Sequence, residues 1–344
     1  MKTAIRTVVF VLFAGRVVMA QPLAGSPNAP QESTAIDKSV LRGLTIVQKA
    51  AANYPKNRDC FSCHHQTLPM LAMVAARDRK LPIDDELFAE QAEFTHASFE
   101  SRIKNLNEGR GIGGMAMTVS YGLWALDLAR WKPDETTEAM VAFLHKTQKE
   151  DGHWTFQTSR PPLEASNVTS TALAVYGLQR FAAASQRDEA DVAIARAKKW
   201  LESPPAESQE DLVASLWGQH LLGADSDRLR AARDRVLATQ RDDGGWSQLS
   251  SMPSDAYATG QTLFVLRATG LAASDRAIAR GAAFLLKTQC DDGSWRVETR
   301  SKPVQTFFDN GDPHGEHQFI SISATSWAVA ALATAAAADK PPPP

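Results

Sequence analysis

Cysteine, tyrosine and net charge are all in short supply. Three Cys in 344 residues exclude a disulfide scaffold. A formal net charge of −2, from 37 Lys+Arg against 39 Asp+Glu, excludes the basic surplus expected of a dedicated nucleic-acid binder. Strand-like alternation of apolar and polar residues is weak throughout, so an all-α chain is expected. Beyond the N-terminus, no run reads as long and apolar enough to cross a membrane. With 44% hydrophobic residues the chain can still bury a core, which excludes disorder as its general state. Length alone suggests about two domains at roughly 150 residues each. Tryptophan is the exception to scarcity: there are eight Trp against four Tyr.

The two ends read as processing and linker segments. Lys2 and Arg6 precede an apolar run from Thr7 to Gly15, and Val18-Met19-Ala20 supplies small residues before Gln21. This pattern predicts a secretory signal over residues 1–20, cleaved after Ala20, and hence a periplasmic or secreted location. Residues 21–35 are polar and Pro-rich, and residues 338–344 end in Pro341 to Pro344. Both are expected to be disordered, which leaves residues 36–337 as the folded part.

That part is repetitive. Gln148-Lys-Glu-Asp-Gly-His-Trp154, Gln240-Arg-Asp-Asp-Gly-Gly-Trp246 and Gln289-Cys-Asp-Asp-Gly-Ser-Trp295 superimpose without gaps. Each carries a Gly turn signal between a charged helical run and a second run rich in small and apolar residues. The second runs include Met117 to Leu126, Thr169 to Leu178, Tyr257 to Leu266 and Ser323 to Leu332. Apolar residues on several faces suit helices packed on most sides. Six helix pairs are expected, over residues 36–79, 84–130, 134–182, 189–222, 226–270 and 274–337. They can close as an inner and an outer ring; an open solenoid is the alternative.

The run Arg280-Gly281-x2-Phe284-Leu285-x3-Gln289-x3-Gly293-x-Trp295 resembles the QW repeat of squalene and hopene cyclases, whose helix pairs also build protein prenyltransferases and complement-type thioester domains. The resemblance covers most of residues 36–337. It implies an α/α toroid in which Gln caps a helix end and Trp stacks on it, a structural role for Trp154, Trp200, Trp246, Trp295 and Trp327. It also implies a cavity wall on the inner helices, where Tyr121, Trp124, Tyr176, Trp217, Asp255, Tyr257, Phe264 and Trp327 fall. Such aromatic walls suit an apolar or cationic small molecule. Packing of the ring core accounts for the same residues. The acid motif of the cyclases does not carry over. At Asp255-Ala256-Tyr257-Ala258-Thr259 the proton-donor position is Tyr257, and a phenol with a pKa near 10 cannot protonate an isolated alkene. Asp255 is independently a good helix N-cap.

Cys60-Phe-Ser-Cys63-His64 is C-x-x-C-H, the attachment pattern of c-type haem, with His64 as iron ligand. Aligning Gln66 with Gln261 puts this motif on the rim where cyclases hold their acid. The insertion Lys302 to Ile320 belongs to the sixth unit, next to the first in a closed ring. Its His314 and His317 are candidate distal ligands, as are Met70 and Met115. Three alternatives remain open. A zinc or other transition-metal site would use Cys60, Cys63, His64, His65, His314 and His317. A Cys60–Cys63 disulfide would suit an oxidising compartment. Cys63-x-x-Gln66 has the spacing of the complement thioester motif. Cys290 reads as a free thiol in an exposed turn. An apolar small molecule or a redox protein is the expected partner.

Overall fold

The computed structural model describes residues 29–336, apart from Thr158 and residues 303–306. The expected signal, most of the leader and the Pro-rich tail lie outside the described residues. Thirteen α-helices are described: α1 (Ala29–Asn57), α2 (Thr67–Asp78), α3 (Asp85–Glu100), α4 (Ile103–Glu108), α5 (Met115–Leu128), α6 (Glu135–Thr147), α7 (Asn167–Phe181), α8 (Arg187–Trp200), α9 (Gln209–Leu221), α10 (Ser226–Leu237), α11 (Ala256–Ala268), α12 (Arg276–Thr288) and α13 (Gln318–Ala335). No strand occurs among the described residues; two isolated bridges, Arg160 with Glu164 and Trp246 with Asp255, pin loops. Helix α1 begins at Ala29, inside the stretch expected to be disordered leader.

These helices form an α/α toroid of six hairpins, as the repeat predicts. Helices α2, α5, α7, α9, α11 and α13 make the inner ring, each packed on the next, and α13 packs on α2 to close it. The outer helices α1, α3, α6, α8, α10 and α12 are the more charged ones, with only Ala232 and Val236 buried on α10. The closed ring, not an open solenoid, therefore accounts for the repeat. It also shows why one chain of this length needs no second domain: every inner face is already covered.

The Gln-to-Trp loops lock this ring. In each, the indole N–H donates to a carbonyl near the end of the outer helix just completed: Trp154 to Leu144 (2.8 Å), Trp246 to Val236 (3.0 Å) and Trp295 to Leu285 (2.9 Å). These bonds satisfy carbonyls that a helix C-terminus leaves open. The Gln carboxamide does two things. It closes its own loop on Gly152, Gly244 or Gly293. It also donates to the next unit's outer helix, at Ala193, Ala277 or Ser39. Gln289 thus joins the last unit to the first. Arg42 of α1 repeats the brace of Arg280, its guanidinium donating to the carbonyls of Cys290 and Asp291 as Arg280 does to those of Arg241 and Asp242. Each loop glycine has a positive φ, and at Gly293 a Cβ would lie 2.8 Å from the Arg42 carbonyl oxygen. Only glycine fits that approach.

Two of the five Trp expected as staples do other work. Trp200 ends α8 and stacks on His153 at 5.0 Å, because prolines replace the Gln-to-Trp loop after it. Trp327 points to the ring axis, where it meets Trp124 at 6.2 Å and Phe264 at 5.7 Å. The membrane expectation also needs correction. Gly315–Ala335, which ends in α13, is long and apolar enough to span a bilayer, yet 94% of its most apolar 18-residue window is buried in the protein, as befits an inner helix of the ring.

Replacing Gln289 by Ala removes two donated bonds at the ring seam and is expected to lower unfolding free energy by about 1–3 kcal/mol in urea denaturation. Gly293→Ala, which must displace α1, is expected to cost more than Gln289→Ala.

Candidate ligand-binding site

The six loops that lead from an outer to an inner helix all emerge on one rim, so the inner helices direct their N-termini there. The C-x-x-C-H motif fills the first loop. Phe61 N–H donates to Ser98 Oγ of α3 (2.7 Å), and Ser62 N–H donates to the Gln66 side chain (2.9 Å). This holds Cys60, Cys63 and His64 on the wall of a cavity of about 680 Å³. The second loop adds Arg102 and Ile112 to Gly114; the third adds Arg160, Pro161, Leu163 and Glu164; the sixth adds Lys302, Phe307 and Phe308, and the first turn of α13 adds Phe319. Phe307 is 52% exposed at the mouth. The cavity is largely apolar and carries charge of both signs, from Arg102, Arg160 and Lys302 and from Glu164 and Glu316.

Burial sets the electrostatics of the motif. It pushes the Cys63 thiol up, with Glu164 adding to the effect, so Cys63 stays protonated. His64 is held well below the ordinary imidazole range, first by burial and then by His65 and Arg160. Its ring is therefore neutral, the state in which imidazole binds metals. His65 turns away from the cavity and is fully buried. It hydrogen-bonds Asp312 at 2.8 Å and stacks on Tyr54 at 4.6 Å. Burial lowers its pKa, and Asp312 opposes that shift. Asn310 bonds the same Asp312 and the Ala50 carbonyl of α1.

The first and sixth units thus meet at the motif, but through residues other than those expected. His314 bonds Ser294 at 2.7 Å, and His317 accepts from the Thr299 N–H at 3.3 Å. Neither lines the cavity, and nor do Met70 or Met115. The cause is the turn at Asp309 to Asp312, which puts Asn310 and Asp312 inward and carries His314 toward the preceding Gln-to-Trp loop. Among the described residues, the donors Cys60, Cys63, His64, His65, His314 and His317 do not gather around one point. All three cysteines are free thiols. The Gln66 carboxamide is bound to Ser62 and Gln91, so it is not aimed at Cys63 as a thioester would need.

The expected aromatic wall is mostly a packed axis. Trp124 of α5 meets Trp217 of α9 at 5.3 Å and Trp327 of α13 at 6.2 Å, across the ring rather than around it. Tyr121, Tyr176 and Phe264 pack with the same cluster, and none of these residues lines either cavity described here. Asp255 is the N-cap of α11, accepting from Ala258 N–H at 2.9 Å. Tyr257 alone of the set lines a cavity, a mixed polar and apolar one of about 310 Å³ whose polar side includes Ser208, Gln209, Glu210, Gln248, Gln261 and Arg300. The Arg160–Glu164 loop, whose Pro161–Pro162 bond is cis, contributes to both cavities. Sequence reading missed Glu210. It is buried and accepts bonds from Thr169 (2.9 Å), Gln261 (3.0 Å) and Tyr257 (3.2 Å). Burial raises its carboxyl to about 7 against those bonds. Its position three residues after Glu207 in a polar helix start gave no cue to enclosure.

No protein-family model matches the chain, and no curated protein matches it in sequence. Solved structures match its fold. The type II terpene cyclase MstE from Scytonema is 13% identical with a TM-score of 0.52, covering 88% of this chain and 98% of its own. A glycosidase is 10% identical with a TM-score of 0.61, covering 89% and 98%. A protein from Actinoplanes is 15% identical with a TM-score of 0.54, covering 88% and 100%. At these identities the likeness is one of fold.

Two outcomes follow from the site. Asp312→Ala removes the carboxylate that buried His65 and Asn310 share, with an expected cost of about 1–3 kcal/mol in thermal or urea unfolding. For Glu210, the unfolded carboxyl titrates near 4.5 and the folded one near 7. The folded chain therefore holds the extra proton between those values. The group's contribution is full below 4.5 and is lost as pH rises through 7, by something on the order of 3 kcal/mol. Unfolding measured against pH should show that fall in the parent chain and a flatter profile in Glu210→Gln.

Proposed function

We propose that the ring binds an apolar small molecule with an anionic end, and that this molecule is haem carried on Cys60 and Cys63. One observation carries the reading: both thiols and the His64 imidazole line the same cavity, with Arg102, Arg160 and Lys302 on it. Its volume lies within the roughly 300–1,000 Å³ of cofactor pockets. Cys60 and Cys63 would hold the group through thioethers, with His64 as the proximal ligand and the three cations as partners for its carboxylates. When bound, haem supplies one-electron or oxygen chemistry. The chain's own part is to exclude water with Phe307, Phe308 and Phe319 and to keep His64 neutral. With His314, His317, Met70 and Met115 all off the wall, binding of an exogenous ligand or catalysis is favoured over plain electron transfer. Export through the N-terminal segment belongs to the same proposal, since c-type attachment takes place on exported chains.

A second reading is supported by the fold likeness to MstE, which has been solved with geranylgeranyl dihydroxybenzoate as substrate, and by the smaller cavity at Glu210 and Tyr257. In that reading the large cavity holds an isoprenoid-like molecule without haem, and the chain acts as a cyclase-like enzyme. Co-expression with a haem-attachment system, followed by intact mass and visible spectroscopy, separates the two. Covalent haem mass and a Soret band, both absent from Cys60→Ser/Cys63→Ser, are expected. A chain of unmodified mass that binds a fluorescent polyene would overturn the first reading in favour of the second.

A further inference from the structure

The sixth-unit Gln-to-Trp loop carries something its two counterparts lack. At the residue after Gln, the third and fifth units have Lys149 and Arg241, and the sixth has Cys290. Two positions on, all three have Asp: Asp151, Asp243 and Asp292. The Asp is a turn residue in its own right. Asp243 accepts from Gly245 N–H and Ser254 Oγ, and Asp292 accepts from Ser294 N–H and Oγ. The exchange of a cation for a thiol is therefore the change that matters. It puts a soft donor at the position where the other two loops carry a cation.

A third donor arrives from outside the repeat. His314, from the seam insertion, comes back onto this loop, and ligand atoms of Cys290, Asp292 and His314 all lie within 4.8 Å of one another. Among the described residues this is where His, Cys and carboxylate donors converge. We infer that Cys290, Asp292 and His314 form a divalent transition-metal site of the zinc class, joining the seam insertion to the ring.

The donor chemistry and the bracing both fit. Thiolate, imidazole and carboxylate is a mixed set that zinc accepts, with bonds of about 2.0–2.3 Å and a fourth position left for water. Ligands of a tetrahedral ion at those lengths lie roughly 3.3–3.8 Å apart, so the side chains need to close by about 1 Å. The loop beneath them is held on all sides. Cys290 N–H donates to the Ser294 carbonyl, and Gly293 N–H donates to the Cys290 carbonyl. Arg42 holds the carbonyls of Cys290 and Asp291, each at 2.8 Å, from the first unit. The Ser294 hydroxyl spans the other two donors, 2.6 Å from Asp292 Oδ1 and 2.7 Å from His314 Nε2. His314 itself sits at φ +79, a left-handed conformation that a non-glycine residue adopts at some cost and that the surroundings must impose.

The consequence for the molecule is mechanical. The insertion that supplies His314 also supplies Phe307 and Phe308 to the large cavity and Asn310 and Asp312 to His65. An ion at Cys290 anchors that segment at its far end, on the loop that Gln289 ties to α1. The site stands independently of what the cavity binds, since neither Cys60 nor Cys63 takes part.

Cobalt(II) titration of the chelator-treated full chain tests this, because a cobalt–thiolate bond gives a charge-transfer band that zinc then displaces. One equivalent is expected to give the band, and the Cys60→Ser/Cys63→Ser chain is expected to keep it. Cys290→Ser is expected to abolish it, with an unchanged circular dichroism spectrum. His314→Asn, whose side chain tolerates the left-handed backbone, is expected to weaken cobalt binding at least ~10-fold. Zinc is expected to raise the melting temperature of the parent chain and not of Cys290→Ser. Absence of a band in the parent chain would overturn the inference, and so would a band that survives Cys290→Ser.

Discussion

The seam that closes this ring is pinned where one carboxamide donates. Gln289 bonds its own loop and the Ser39 carbonyl of α1, so the last repeat grips the first in the way the third and fifth grip their successors. A helix hairpin of this kind cannot bury its inner face alone, and a row of them leaves two ends bare. The Gln bond, the Arg42 brace and the Gly293 close approach remove those ends together. They set the register of α1 against α12 and α13, and through it the position of the motif loop that follows α1.

The site follows from that closure. Connecting loops on the rim above the inner helices are free to vary, because the ring below does the packing. The first loop spends its freedom on the C-x-x-C-H turn, the second on a short helix and a glycine-rich stretch, and the sixth on a long insertion. They become one cavity only because α13 lies beside α2. His65 and Asp312, 247 residues apart in sequence, show the result: a buried polar pair that neither segment could satisfy by itself.

The fold was readable in the chain because its strongest signals are repeated. Gln, Gly and Trp at fixed spacing occur three times, and each copy makes the same bonds for the same reason. The motif's placement on the rim, beside the sixth-unit insertion, was readable by alignment of Gln66 with Gln261. The partners were not. His314 and His317 stood out as chemically distinctive residues, but the turn at Asp309 to Asp312 decides which side chains face inward, and it chose Asn310 and Asp312. The inner-helix aromatics were legible as inward-facing; whether inward means a wall or a filled axis depends on side-chain reach across the ring, which periodicity does not record. Glu210 looked like any acidic residue in a helix's first turn, where a negative charge is ordinarily favourable.

The filled axis has a consequence of its own. Trp124, Trp217 and Trp327 join α5, α9 and α13, three alternate members of the inner ring, and so stopper the barrel below the cavity. The toroid is then a cup and not a tunnel: what enters at the loop rim must leave by the same way. On the reading proposed above, an apolar molecule with one anionic end would enter tail first, with its charged end beside Arg102, Arg160 and Lys302. In that reading, the direction of entry follows from the closed floor before any specific recognition begins.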